Sequence, residues 1–251
     1  LYMVSGYPYA FDSRKLCAAM HICHAGPAMG AAVAGSLFGD FSPAGRCPIT
    51  WYADSQDLCD IRDYNIIRTK STYLYFTGKP LFPFGHGLSY TSFEYGTPRL
   101  SARQLSSDSV LTVEIDIRNT GIVDADEVVQ LYVAPPKLPI PLPRKQLKAF
   151  ARINVPKGRT ETAKLTLDIS TLGFYDVNTG AQEVYSGEYA IMIGSSSEDI
   201  RRAAAIEVTG RSFEGVNVSM PVPATLSSDY MGVELGTDFE LTEYALIQDW
   251  Q

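Results

Sequence analysis

Apolar and polar residues alternate along much of the second half of the chain. Between residues 111 and 117, four apolar side chains alternate with polar ones, and Asn119-Thr120-Gly121 then has the composition of a turn. In residues 188–193, Tyr189, Ile191 and Ile193 fall on one face, as expected for a strand with one buried side. Similar apolar runs, separated by turn residues, predict further strands at residues 127–133, 149–155, 162–167 and 203–208. Short strands at this spacing predict a β-sandwich over residues 96–209.

Strand-like and helix-like patterns are mixed in residues 1–78. Residues 1–5 and 48–52 predict strands, and residues 13–20 form a short amphipathic stretch between them. Residues 29–38 are apolar nearly all round, which predicts a helix buried against neighbouring elements. Gly39 then provides a natural helix end. This mixture predicts an α/β unit.

Two further segments complete the predicted organisation. Residues 79–95 are rich in proline, glycine and aromatic residues, which predicts an ordered connector whose rings pack against both neighbours. Residues 210–251 are acidic and rich in turn residues, and they form a linker and tail that either wraps back on the sandwich or begins a further β-module. Because an apolar strand begins at residue 1, we expect a fragment whose secretion signal, if it has one, lies upstream. The sequence therefore leaves the cellular compartment unknown.

Composition and charge exclude some functional classes. The chain is 45% hydrophobic and 20% charged, with a formal net charge of -7 and no basic cluster, so nucleic acid is not an expected partner. No apolar run reaches the roughly 18 residues that a membrane-spanning helix needs. The cysteines have no paired C-x-x-C spacing, even with two histidines near one of them, so we expect buried thiols or at most one disulfide rather than zinc. They are Cys17, Cys23, Cys47 and Cys59.

Several carboxylates are candidates for chemistry. Asp40 follows the predicted helix end and precedes Pro43, which is typical of a turn residue. A spaced acidic stretch with Arg62 and Arg68 nearby has no calcium-loop glycine spacing, so a solvated loop is the favoured interpretation. The alternative is that this stretch contacts the rim of a catalytic pocket formed upstream. Its acidic members are Asp54, Asp57, Asp60 and Asp63.

Other motifs also favour structural roles. His86 lies between two glycines, where hydrogen bonding across the connector is a better hypothesis than catalysis. Gly26 and Gly30 precede a helix but lack a following Lys-Ser or Lys-Thr pair, so they indicate close helix packing rather than phosphate binding. Residues 139–144 resemble a polyproline ligand but suit a loop between two strands. Asn217-Val218-Ser219 is a glycosylation sequon that has meaning only on a secretory route.

Three distinctive blocks follow one another along the chain. They are LFGDFSPAGR at residues 37–46 followed by Pro48-Ile49-Thr50, FPFGHGLSYTSF at residues 82–93, and the strands and turns of residues 119–133, 147–150 and 194–197. In this order they resemble the family 3 glycoside hydrolases, which include β-glucosidases and β-xylosidases. The first block is similar to the motif that ends the family's α/β-sandwich domain, the second to its connector and the third to its fibronectin type III-like domain. Residues 63–65 and 72–76 lean towards the xylosidase-like branch, whereas residues 24–30 depart from the family pattern.

The resemblance implies a fold, an activity and the absence of a complete site. It implies that residues 1–78 are the C-terminal part of an α/β sandwich, followed by the connector and an all-β fibronectin type III-like sandwich at 96–209. It also implies a retaining exo-β-glycosidase that acts on terminal β-glucosides or β-xylosides of oligosaccharides without a cofactor. The family's nucleophilic Asp and acid/base Glu precede the part represented here, so we assign no catalytic, cofactor-binding or metal-binding residue and expect this segment alone to be inactive. A homo-oligomer is left open, and the alternative function is a non-catalytic carbohydrate-binding or structural β-sandwich module.

Overall fold

The computed structural model describes residues 2–6, 13–60 and 62–215, and β-strands dominate it. Near the start, β1 (Tyr2–Val4) pairs in parallel with β2 (Met20–Ile22). The strand β2 was not predicted from the sequence, because three residues are too few to show a period. The amphipathic stretch predicted at residues 13–20 instead contains a short 3₁₀ turn at Ser13–Lys15 before β2 begins. Two short parallel strands and the helix that follows them are consistent with the predicted α/β unit, but they form only a small piece of such a fold.

The helix α1 (Met29–Phe38) has the predicted bounds, and Gly39 ends it in the left-handed conformation with φ 83°. The predicted burial of α1 is wrong for the described residues. Leu37 is 60% exposed and Phe38 is 87% exposed, and only Gly35 and Ser36 are buried. Hydrophobicity all round a helix shows that it can be covered, but not which element covers it. A second helix, α2 (Thr72–Tyr75), is a single turn.

The strand predicted at residues 48–52 is also wrong in its extent. Only Trp51 has strand-like pairing, as an isolated antiparallel bridge with Phe82. The Trp51 N–H donates to the Phe82 carbonyl at 2.9 Å, and the Leu81 N–H donates to the Trp51 carbonyl at 2.7 Å. This bridge joins the segment after α1 to the connector.

Residues 93–209 form a sandwich of two sheets. In one sheet, β6 (Val110–Asn119) pairs with β9 (Thr160–Asp168) on one edge and with β3 (Phe93–Tyr95) and β4 (Arg99–Leu100) on the other. The second sheet has five strands, and β5 is its parallel edge strand. In spatial order its strands are β5 (Gln104–Ser106), β13 (Ile200–Thr209), β12 (Gly187–Gly194), β7 (Ala125–Ala134) and β8 (Gln146–Val155). A hairpin of β10 (Phe174–Asp176) and β11 (Ala181–Glu183) lies before β12.

The sandwich core is built from the inward faces of both sheets. Leu111, Val113, Ile115 and Ile117 of β6 are fully buried, as their alternation predicts. On the facing sheet, the inward residues of β12 are also buried; they are Tyr189, Ile191 and Ile193. Each such side chain contributes about 1.5–3 kcal/mol by leaving water. The β-sandwich prediction is confirmed, because all six predicted strands lie within β6, β7, β8, β9, β12 and β13.

Among the described helices, α1 is the longest at 10 residues, and none is long and apolar enough to cross a membrane.

Candidate functional site

The main polar and aromatic cluster of the described chain lies where the connector meets the sandwich. The Tyr73 ring stacks on Phe84 with centroids 4.2 Å apart and meets Tyr132 of β7 edge-on at 6.1 Å. On the other side of the connector, Phe82 meets Trp51 edge-on at 5.7 Å. The connector's rings therefore contact both of its neighbours, as the aromatic-rich sequence predicts. We call this contact region the junction, defined by residues 44–52, 73–95 and the parts of β7 that they touch.

Gln130 of β7 fixes the connector backbone to the sandwich. Its Nε2 donates to the carbonyls of Gly85 at 3.1 Å and Ser195 at 2.6 Å, while the Tyr132 hydroxyl donates to its Oε1 at 2.6 Å. Gly85 has φ 82°, and a Cβ at this position would overlap the Gln130 side chain. Only glycine fits this approach, since a side chain would be both strained and obstructed.

A buried ion pair joins the segment after α1 to β7. Arg46 Nη2 lies 2.8 Å from Glu127 Oε2, and the two side chains are only 10% and 3% exposed. The Tyr95 hydroxyl donates to Glu127 Oε1 at 2.6 Å, so both carboxylate oxygens have partners. Burial raises the pKa of Glu127, while Arg46 and the Tyr95 hydrogen bond act in the opposite direction. Burial, together with the neighbouring Glu127 charge, also raises the pKa of Tyr95, so its hydroxyl remains a proton donor.

Asn119 holds the connector at the end of β6. Its Nδ2 donates to the carbonyls of Val123 at 2.8 Å and Val155 at 2.9 Å, and Asn119 is fully buried. Its Oδ1 accepts from the Thr91 hydroxyl at 2.5 Å and from the Gly121 N–H at 3.1 Å. The predicted turn at residues 119–121 thus also anchors the connector.

The β7–β8 loop and the start of β8 form a fourth contact with the earlier part of the chain. The Arg144 N–H donates to the Leu74 carbonyl at 2.8 Å, and the Arg144 side chain donates to the Phe76 carbonyl. The Leu147 N–H donates to the Tyr73 hydroxyl at 3.1 Å. The proline-rich residues 139–143 lie in this loop, between β7 and β8, as expected for a connection between two strands.

The structure gives most predicted candidates local partners rather than bringing them together as a catalytic site. Asp40 lies in the turn after α1, where its N–H donates to the Gly35 carbonyl at 2.8 Å. Asp54 caps the 3₁₀ turn Ser55–Asp57, and Asp60 pairs with Arg62 at 2.6 Å. Among the described residues, no group of three or more His, Cys, Asp and Glu side chains is placed to hold a metal ion.

His86 contacts its neighbours through its backbone and its ring, and its structural rather than catalytic role stays a prediction. Its carbonyl accepts from the Cys47 N–H at 2.8 Å, and its ring stacks on Phe82 at 5.1 Å. Burial lowers the pKa of His86, and the nearby Arg46 charge lowers it further, whereas Asp199 raises it. The histidine is therefore held towards its neutral form.

Two further predictions about the first part of the chain are wrong. A Cβ at Gly26 or Gly30 would have no described atom within 4 Å, so these glycines do not serve close helix packing within the described residues. The four cysteines are free, and only Cys47 is half-buried; Cys17, Cys23 and Cys59 are exposed. Both differences arise because few described elements cover this part of the chain. The sequon at Asn217 and the tail up to residue 251 lie outside the described residues.

The polar residues that hold the junction together were not predicted from the sequence. Arg46 and Glu127 belong to different blocks, and their pairing across 81 positions leaves no local pattern. The available signal was the presence of Glu127 and Gln130 within the mostly apolar strand at residues 127–133, since a polar residue buried in such a strand needs a partner.

Comparisons with known proteins agree with this architecture. Residues 1–90 match the model of the glycosyl hydrolase family 3 C-terminal domain, and residues 127–197 match that of the fibronectin type III-like domain. The chain is 39% identical over 170 residues to a xylan 1,4-beta-xylosidase of Xylanibacter ruminicola, covering 68% of this chain and 19% of that protein. It is 33% identical to a beta-glucosidase of Rhizobium radiobacter, covering 77% of this chain and 25% of that protein.

A solved structure shows the same arrangement. The beta-glucosidase from Kluyveromyces marxianus, determined in complex with glucose, superposes with a TM-score of 0.74 at 27% identity. The match covers 83% of this chain and 26% of that protein, so the chain corresponds to about a quarter of it. The chain carries the C-terminal domain of glycosyl hydrolase family 3 followed by its fibronectin type III-like domain, and it belongs to that family.

Proposed function

We propose that this chain is part of a retaining exo-β-glycosidase that hydrolyses terminal β-glucosides or β-xylosides of oligosaccharides. Family membership and relatives named as beta-glucosidases and beta-xylosidases support this activity. The xylosidase-like residues 63–65 and 72–76 and the identity to a xylan 1,4-beta-xylosidase favour a xyloside slightly. The activity belongs to a longer polypeptide that includes this chain.

The chemistry requires groups that the junction does not provide. Retaining hydrolysis uses two carboxyl groups about 5 Å apart, one as nucleophile and one as acid and base. Glu127 is the buried carboxylate of the junction, but Arg46 and Tyr95 occupy its two oxygens. We therefore assign Glu127 a structural role, and we place the catalytic pair in a part of the longer polypeptide outside this chain.

The role of this chain is to hold the catalytic parts in a fixed relation. The Arg46–Glu127 ion pair is the observation that carries this role, because it joins the family's α/β motif directly to the sandwich. A catalytic geometry must be supported to within about 0.5 Å by residues that are themselves held in place. The junction satisfies that need through polar contacts and stacked rings, and the sandwich stabilises the α/β part.

The test is to measure hydrolysis of aryl β-xylosides and aryl β-glucosides by the longer polypeptide, with and without residues 93–251. We expect turnover of at least one substrate by the intact form and a large loss of activity and thermal stability without the sandwich. An intact form that binds oligosaccharides but hydrolyses neither substrate would favour the carbohydrate-binding alternative. Unchanged activity after removal of the sandwich would contradict the stabilising role.

A further inference from the structure

A shallow groove lies in the loop before α2, away from the junction. Its volume is about 590 Å³, and it is lined by Asp60, Arg62, Asp63, Tyr64, Asn65 and Arg68. Tyr64 is 87% exposed, so its ring presents a large apolar surface to solvent. A tyrosine exposed in this way can serve as a contact surface, because it gives a large contact area at a small cost in conformational entropy.

The charged groups of the groove are arranged as two pairs. Arg62 contacts Asp60 at 2.6 Å, and Arg68 contacts Asp63 at 2.9 Å. Each pair is partly exposed, and the two charges within it largely cancel. A groove of this kind attracts neither an anion nor a cation strongly, but it offers donors and acceptors side by side.

These groups match the chemistry of a neutral sugar. A hydroxyl group both donates and accepts hydrogen bonds, so it can bond to a guanidinium and a carboxylate at once. The apolar face of a pyranose ring needs a flat apolar partner, which the exposed Tyr64 ring supplies. Ligand sites commonly combine an aromatic surface with a few convergent polar groups.

The loop is held in position by the rest of the protein. Lys70 and Thr72 have φ values of 50° and 60°, which are uncommon for residues with a side chain and especially for a β-branched one. The Tyr52 hydroxyl accepts from the Thr72 N–H at 2.8 Å, and the Ile66 carbonyl accepts from the Ser71 N–H at 2.9 Å. Directly after this turn, Tyr73 is fixed to the sandwich. The groove is therefore presented in a defined orientation, which lowers the entropy cost of binding.

We propose that this groove binds a neutral sugar unit of a β-linked oligosaccharide, with Tyr64 as the stacking surface and Arg62 and Asp60 as hydrogen-bonding groups. This inference rests on the proposed function, since it names a contact of this chain with the glycosidase's substrate class. It gives Asp60, a member of the acidic stretch, a role in substrate contact in addition to its ion pair with Arg62.

The experiment is calorimetric titration of the 251-residue chain with xylotriose and, separately, cellotriose. We expect at least one of them to bind, and we expect Tyr64→Ala to weaken that binding about tenfold. Tyr175→Ala is the matched control, because Tyr175 is also an exposed tyrosine, at 62%, but lies on β10. That control should bind as the unchanged chain does, and near-ultraviolet circular dichroism should show that both variants are folded.

Two results would overturn the inference. One is that neither sugar binds to the folded chain. The other is that Tyr64→Ala binds as tightly as Tyr175→Ala. Because the titration needs no turnover, it is separate from the test of the proposed function: a longer polypeptide that hydrolyses glycosides would stand even if the groove binds nothing.

Discussion

Arg46 and Glu127 lie 2.8 Å apart although 81 positions separate them along the chain. The arginine belongs to the segment after α1 and the glutamate to β7, so this ion pair is one of the contacts that link the two parts of the molecule. Because both side chains are almost fully buried, each needs the other: either one alone would be a charge without a partner in a poorly solvated place.

Replacement of Glu127 should therefore destabilise the protein strongly. Glu127→Ala leaves Arg46 and the Tyr95 hydroxyl buried without their acceptor, and we expect a loss of about 3–5 kcal/mol in the free energy of unfolding. Chemical denaturation measures this loss. The control is Glu188→Ala on the exposed side of β12, which should change stability by no more than about 0.5 kcal/mol. A loss at Glu127 no larger than at Glu188 would show that the pair does not hold the junction.

Gly85→Ala should be more harmful than a typical glycine substitution. Gly85 and Gly158 both have positive φ, at 82° and 71°, but a Cβ at Gly158 would have no described atom within 4 Å. Gly158→Ala should thus cost only the conformational strain, about 1 kcal/mol. Gly85→Ala should cost clearly more, because its Cβ also displaces Gln130. Equal losses in thermal unfolding experiments would mean that the contact with Gln130 is not tight.

Asp116 should make the sandwich sensitive to acid. Hydrogen bonds from Arg99 at 2.8 and 3.0 Å and from Thr162 at 2.7 Å lower the pKa of Asp116 to about 2. Since the folded pKa lies below the unfolded value, this carboxylate stabilises the fold above about pH 4, and that contribution is lost as the pH falls towards about 2. Asp116→Asn should reduce the slope of unfolding free energy against pH in this window. The control is Glu207→Gln, a substitution at an exposed position of β13. If the unfolding free energy had the same pH dependence in both variants, Asp116 would not be the source of the acid sensitivity.

Substitutions on the uncovered face of α1 should have little effect on stability. Since Leu37 and Phe38 are exposed in this chain, Leu37→Ser and Phe38→Ser should each change its stability by about 0.5 kcal/mol or less. Ile115→Ala in the sandwich core should cost about 2–5 kcal/mol and provides the scale. Denaturation of the 251-residue chain measures all three. If Phe38→Ser lowered the free energy of unfolding as much as Ile115→Ala does, another part of the chain would have to cover α1.

The sequence predicted features that depend on local pattern. The alternation at Leu111–Ile117 predicted β6 because one face of a sandwich strand must be buried, and Gly39 predicted the end of α1 because few other residues adopt its left-handed conformation. The burial of α1 could not be predicted correctly, since periodicity does not identify what packs on a helix. The junction could not be predicted either, because the contacts of Arg46 and Gln130 depend on how distant segments meet in space.

The central proposal is that this chain supports a glycosidase site whose catalytic pair lies elsewhere in the longer polypeptide, and nitrophenol release by the 251-residue chain tests it most directly. The chain should release none from aryl β-glucosides or aryl β-xylosides, because the one buried carboxylate of the junction is fully engaged by Arg46 and Tyr95. Clear turnover by the purified chain, abolished when a carboxylate within it is replaced by its amide, would contradict the account.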